Sequence, residues 1–166
     1  MAAFDREIVD LLPRLRRLAR ALARSPADAD DLVQLAVERG LARRDQWRPG
    51  TRLDSWMFRI MKNAWIDETR ARSRRSAVLA PEEDGARVGY DGAGAMGARL
   101  EARAVEAAMA RLPEEQRLAV ALVLVEGLSY GEAAEVLEIP PGTLTSRLVR
   151  GRMALLAQLR DAEAAP

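Results

Sequence analysis

The sequence contains no cysteine and no histidine. Without thiols there is no disulfide framework and no thiolate metal site; without imidazole there is no His ligand and no Ser-His or Cys-His catalytic pair. Much hydrolytic and redox chemistry is excluded before any motif is read, and no cofactor is expected. Aromatics make up only 4% of the chain. The longest uncharged apolar run, residues 118–125, falls well short of the roughly 20 residues a bilayer span needs, so no membrane insertion is expected. The first residues, Met1-Ala2-Ala3-Phe4-Asp5-Arg6-Glu7, carry acids and lack the basic flank and apolar segment of a signal peptide. A soluble protein in a reducing, cytoplasmic setting is the expectation.

What is present is 166 residues, 49% of them hydrophobic, the length of one domain or two very small ones. The 26 basic and 25 acidic residues nearly cancel to +1, but they are spread unevenly. Residues 1–76 hold 17 basic and 11 acidic side chains, a net of +6; residues 77–115 hold 4 and 8, a net of −4; residues 116–166 hold 5 and 6, a net of −1. All basic residues but Lys62 are arginine, the better residue for bidentate phosphate and base contacts. Composition alone leans toward nucleic acid.

Apolar residues recur at helical spacing through Phe4, Ile8, Leu11, Leu12, Leu15, Leu18 and Leu22, with arginines between them, which predicts an amphipathic helix. Ser25-Pro26-Ala27-Asp28 supplies an N-cap, a first-position proline and a first-turn acid for a second helix running to about Arg44. A turn at Trp47-Arg48-Pro49-Gly50-Thr51 precedes a third helix, from about Leu53 to Arg72. From Ser76 to about Gly97 the periodicity disappears into acids and glycines, the composition of a flexible linker. Helical sequence resumes near Ala98, breaks at Leu112-Pro113 and continues to Glu126, with Gly127 as a left-handed C-terminal residue. Ser129-Tyr130-Gly131-Glu132 is a capping box for a short helix to about Leu137, and after Glu138-Ile139-Pro140 a last helix runs from Pro141 to about Leu159. No sheet is predicted. The fold class is all-α, with domains at about 4–75 and 99–160 joined by a linker over 76–98.

The last two helices have the spacing of a helix-turn-helix, which presents its second helix for groove insertion. Thr143, Thr145, Ser146, Arg147 and Arg150 stand on the outward face of that second helix, where hydroxyls and guanidinium groups can meet phosphates and base edges. An ordinary helical hairpin with a solvated basic face is the alternative. In the turn, Glu138 takes a place often held by glycine, at a cost of about 1 kcal/mol if positive φ is required. On the third helix Arg59, Lys62, Asn63, Arg70, Arg72, Arg74 and Arg75 interleave with Trp56 and Trp65, a mixture suited to single-stranded nucleic acid. The alternative there is that Trp56, Phe58, Ile60 and Trp65 are core and the arginines a solvated face. Trp47, just before the Pro-Gly turn, is the aromatic expected to be exposed. Asp28, Asp30 and Asp31 open the second helix, where acids suit the dipole.

Taken in order, these words resemble a bacterial extracytoplasmic-function (ECF) sigma factor, the short two-domain kind. The first domain carries Asp30-Asp31-Leu32-Val33-Gln34, Trp56-Met57-Phe58-Arg59-Ile60-Met61-Lys62-Asn63 and Ile66-Asp67. The second carries Leu112-Pro113-Glu114-Glu115-Gln116-Arg117, Leu128-Ser129-Tyr130-Gly131-Glu132-Ala133-Ala134 and the stretch from Ile139 through Leu148. The resemblance implies core RNA polymerase contact through Asp31, Leu32, Val33 and Gln34. It implies reading of the melted minus-ten element by Trp47, Arg48, Thr51, Trp56, Arg59, Lys62 and Asn63, and of the minus-thirty-five element by Thr143, Thr145, Ser146, Arg147 and Arg150. Promoter DNA and core RNA polymerase are the implied partners, together with an anti-sigma factor that masks the polymerase-binding surfaces. Catalysis then belongs to the polymerase, and no catalytic or metal residue is assigned here. The Pro49-Gly50-Thr51 turn and the Leu-Pro-Glu-Glu-Gln word resemble the alphaproteobacterial general-stress subgroup. Two other readings stay open: a stand-alone helix-turn-helix regulator, and a sigma-like decoy that binds an anti-sigma factor.

Overall fold

The computed structural model describes residues 2–78 and 96–166, and every described element is helical. The chain divides into two units, the first built on three helices and the second on four.

In the first unit α1 (Ala2–Leu22), all but the last three residues of which belong to it, buries the stripe its spacing predicts: Phe4, Ile8, Leu11, Leu15 and Leu18. Pro13 interrupts the ladder on the exposed face, where water can take up the carbonyl it leaves unpaired. Ser25 has extended backbone and accepts a hydrogen bond from the Asp28 amide at 3.1 Å, and Pro26 opens α2 (Pro26–Ala42). α2 packs on α3 (Leu53–Val78) through Ala29, Leu32, Val33 and Ala36 against a face that includes Met57, Met61 and Ala64. At Gly40 the two helices come close, since a Cβ there would lie 2.7 Å from the Met57 sulfur. Arg72 reaches Asp28 at 3.3 Å and Arg39 reaches Asp67 at 3.2 Å, tying the same two helices by ion pairs.

In the second unit α4 (Met96–Arg111) stops at Leu112-Pro113, and α5 (Glu114–Val120) runs on into a π-helical turn (Ala121–Val125). Buried Arg117 bridges the break by donating to the carbonyls of Ala110 at 2.7 Å and Leu112 at 2.9 Å, so it caps the C-terminus of α4. Gly127 has φ of 72°, and Ser129 and Glu132 form the reciprocal capping box of α6 (Tyr130–Leu137). Glu138 is left-handed, φ 57° and ψ 43°. Its amide donates to Glu135 and the Ile139 amide to Ala134, which makes the turn a Schellman motif with glutamate at the glycine position. α7 (Pro141–Ala164) packs Leu144, Leu148 and Gly151 inward. A Cβ on Gly151 would lie 2.7 Å from the Val120 side chain and 3.3 Å from the Gln116 carbonyl oxygen, so the glycine is what lets α7 pack this closely on α5.

Two helix limits differ from expectation. α3 continues to Val78, and α4 begins at Met96. The added residues of α3, 73–78, are serine, arginine, alanine and one valine, all on exposed positions, and the arginine and alanine among them favour helix without packing. Residues 79–95, most of the segment expected as a linker, lie outside the described residues.

Candidate nucleic-acid and polymerase interfaces

Along residues 31–34 of α2 the helical period splits the stretch in two. Leu32 and Val33 are buried against the unit's interior, while Asp31 and Gln34 are exposed. Gln34 donates to Glu38 at 3.2 Å, one turn on. Any partner of this surface therefore meets Asp31 and Gln34, with Leu32 setting the helix in place. Behind them sits Glu68 on α3. Partial burial pushes its carboxyl above the ordinary value; Arg72 and Arg39 oppose that, and the neighbouring Asp28 and Asp31 add to it.

The connection between α2 and α3 is closely determined. A single 3-10 turn (Arg44–Gln46) leads to Trp47, and residues 48–51 form a type II turn, with Pro49 second and Gly50, at φ 86°, third. The Thr51 amide donates to the Arg48 carbonyl at 3.1 Å and its hydroxyl donates to the same oxygen at 2.6 Å. Arg52 then clasps Asp54 with two hydrogen bonds, 3.1 and 2.6 Å, while Arg14 of α1 donates to Asp54 at 2.8 Å and lies over the Phe58 ring. Burial of Asp54 opposes its ionisation, but the bonds from Arg52, Arg14 and the Ser55 amide outweigh it and hold the carboxyl at about 2.

Trp47 is half-buried, with its ring 5.4 Å from that of Phe4, so the expectation that it is exposed is corrected by a contact from the start of α1. Trp56 is also half-buried, 6.1 Å from the same Phe4 ring, whereas Phe58, Ile60 and Trp65 are core. Arg48, Thr51, Arg59 and Asn63 are exposed, and Arg59 and Asn63 share one face of α3 at i, i+4. Lys62 is different: it is only 5% exposed. The structure thus brings Arg48, Thr51, Arg59 and Asn63 to the surface and withdraws Lys62 from it, because position 62 falls on the inward side of the helix between Met61 and Ala64.

On α7, Thr145, Ser146 and Arg150 are exposed, and Thr143 and Arg147 are half-buried. The Thr145 hydroxyl donates back to the Pro141 carbonyl at 3.0 Å. Arg147 places Nε 3.7 Å from Glu115 of α5, a neighbour that sequence spacing did not reveal. No side chain caps the first turn of α7, so its amides face outward beside the same residues. Leu124 and Val125 on the π turn, and Val149, Met153 and Leu156 on α7, are apolar and exposed. Among the described residues no helix is long and apolar enough to cross a membrane.

Both units match known families. Residues 8–62 match the sigma2 domain of PhyR, and residues 102–155 match sigma-70 region 4. The chain is 36% identical over 153 residues to the ECF RNA polymerase sigma factor EcfG of Rhodopseudomonas palustris, covering 92% of this chain and 83% of that one. It is 38% identical over 160 residues to the ECF RNA polymerase sigma factor SigM of Mycobacterium tuberculosis, covering 95% and 76% respectively. Among solved structures it resembles the sigma factor RpoE of Bartonella quintana, crystallised in complex with the anti-sigma factor NepR, with a TM-score of 0.79, 28% identity and coverage of 96% and 98%.

Proposed function

The chain belongs to the ECF RNA polymerase sigma factors, and from that premise we propose how its two units divide the work of promoter-directed transcription initiation. The first domain, about residues 4–75, docks on core RNA polymerase through the exposed Asp31 and Gln34 of α2 and receives bases of the opened minus-ten element. The turn at residues 48–51 and the exposed Arg59 and Asn63, with Trp47 and Trp56 beside them, form that surface. The second domain, about residues 99–160, holds duplex DNA at the minus-thirty-five element through Thr145, Ser146 and Arg150, with Arg147 beside them. The observation that carries this reading is the capped helix-turn-helix of α6 and α7, whose outward residues are hydroxyls and arginines flanking an uncapped helix start.

The chain itself performs no catalysis in this scheme; phosphoryl transfer belongs to the polymerase, and the work is done in the cytoplasm. A net charge of only +1 keeps free affinity for phosphate low, so promoter recognition depends on assembly with the enzyme and on both domains acting together. Because RpoE of Bartonella quintana was crystallised bound to NepR, we further propose that an anti-sigma factor holds this chain inactive and releases it under stress. Run-off transcription with purified core polymerase and a promoter library tests the assignment. Selective initiation that requires both elements is the expected result. Binding to isolated duplex without any effect on polymerase would favour a stand-alone regulator, and binding to an anti-sigma factor without transcription would favour a decoy.

A further inference from the structure

Phe4 lies outside every word that carries the family resemblance, and the matched sigma2 stretch begins only at residue 8. It is nonetheless 7% exposed, at the start of α1. Its ring contacts two of the three tryptophans: Trp47 at 5.4 Å with the planes tilted by 49°, and Trp56 at 6.1 Å edge-on at 72°. Both separations fall in the range of attractive aromatic pairs, and the Trp56 pair has the edge-to-face angle that the ring quadrupoles favour. One ring from the first turn of α1 therefore pins the connection before α3 and the first turns of α3 itself.

The two ends of the turn at residues 48–51 are held differently. Its downstream end is fixed by polar bonds, through Arg52 and Arg14 on Asp54. Its upstream end is Trp47, whose indole N–H is buried without a hydrogen-bond partner. An unpaired buried donor favours leaving that position for water. Ring packing on Phe4 opposes that departure.

We propose that Phe4 is a positioning residue, which holds Trp47, and through it the turn at residues 48–51, in the arrangement that receives unpaired bases of single-stranded promoter DNA. The inference rests on the assignment of that turn to the minus-ten element. Without the ring, Trp47 regains rotamers and its N–H reaches water, so that a base must reorder the connection before it can bind. Asp31 and Gln34 lie on a different helix from all three rings, so polymerase docking is unaffected.

The test uses holoenzyme reconstituted from the full chain and core polymerase. Phe4→Leu keeps an apolar side chain and removes the ring, and Phe4→Tyr restores a ring. Each is measured for core-polymerase affinity and for binding of single-stranded oligonucleotides carrying an intact or scrambled minus-ten sequence, taken from a promoter selected in run-off assays. Phe4→Leu should reduce discrimination between the two oligonucleotides by roughly three- to tenfold, the size of an aromatic pair interaction, with polymerase affinity unchanged and most of the discrimination returning in Phe4→Tyr. In the free protein it should also make tryptophan emission more quenchable by iodide. Full discrimination in Phe4→Leu where Trp47→Ala loses it overturns the proposal, as does unchanged quenching or a parallel loss of polymerase affinity. If Trp47→Ala also discriminates fully, the minus-ten assignment fails and the proposal falls with it.

Discussion

Glu115 Oε2 lies 3.7 Å from Arg147 Nε, so an acid from α5 stands beside an arginine on the outward face of the proposed reading helix. The glutamate is largely exposed and the arginine half-buried, and a pair of this kind contributes about 0–1 kcal/mol to stability. If α7 meets duplex DNA as proposed, the larger effect of the glutamate falls on DNA, because its negative charge opposes phosphate binding at that spot. Glu115→Gln should bind duplex of any sequence more tightly and steepen the salt slope by up to about 1. Arg147→Ala should cost roughly 1–3 kcal/mol at one base position if the guanidinium reads a base, or weaken all sequences alike if it touches phosphate. Filter binding of intact and scrambled upstream elements at several salt concentrations separates these outcomes, and an unchanged salt slope in Glu115→Gln would remove the glutamate from the account.

Docking on α2 is open to an unusually clean test. Asp31 adds to the unfavourable electrostatics at Glu68, which offsets the favourable place of its charge near the start of α2, so replacing it should change the stability of the fold little. The double variant Asp31→Ala, Gln34→Ala is expected to lose affinity for core polymerase while its melting temperature stays nearly level. A folded double variant with full affinity would show that the polymerase meets another surface.

Glu138 is the sole non-glycine residue with positive φ among those described. Glu138→Gly should raise stability by about 0.5–1 kcal/mol, the left-handed penalty less the added freedom of glycine in the unfolded chain. Glu138→Ala removes the carboxylate without relieving the backbone and should gain nothing. Thermal unfolding of the three proteins distinguishes backbone relief from a charge effect.

The acid limb of stability should carry the imprint of Asp54. Its folded carboxyl titrates at about 2 against an ordinary 3.8, so in that window the unfolded chain binds more protons and stability rises with pH. The contribution is complete above 3.8 and is lost as pH falls through 2; allowing for solvent screening it is about 1 kcal/mol. Glu68 has the opposite sign. Its folded carboxyl is raised above 4.5, so its protonated form supports the fold at low pH and that support is lost as pH climbs through the raised value. Urea midpoints from pH 2 to 7 should show a shallower acid limb for Asp54→Asn and a gain near neutrality for Glu68→Gln.

The helices were legible where their signals are local. Ser25, Pro26 and Asp28 start α2, and Ser129 with Glu132 starts α6, because an N-cap acts within three residues and can be read from spacing alone. What could not be read depends on neighbours distant in the chain. The arginine at position 117 belongs to a family word, yet its task of capping α4 becomes visible only when the Leu112-Pro113 break folds back over it. The burial of Lys62 follows from which side of α3 meets the interior, and a helix carrying apolar residues on several faces, as α3 does through Trp56, Met57, Phe58, Ile60 and Met61, does not declare that side. The contact between Phe4 and Trp47 spans 43 positions of sequence, from 4 to 47, and no periodicity links them. Of the proposed surface residues, the exposed ones were those a polar outward face predicts; the half-burial of Thr143 and Arg147, and the neighbour Glu115 beside Arg147, come from packing outside their own helix that spacing does not encode.

The π turn at the end of α5 is in effect a helix with one residue more than its ladder can use. The Glu126 amide donates to the Ala121 carbonyl, five residues back, at 3.0 Å. The surplus residue rotates everything after it by about 100° relative to a regular helix, one residue's share of a turn. Deleting one position within residues 121–123 would let the ordinary ladder resume and carry the exposed Leu124 and Val125 round by that angle. Aligned chains that lack the surplus residue should show a single-position gap there, and their apolar side chains at the corresponding sites should point elsewhere.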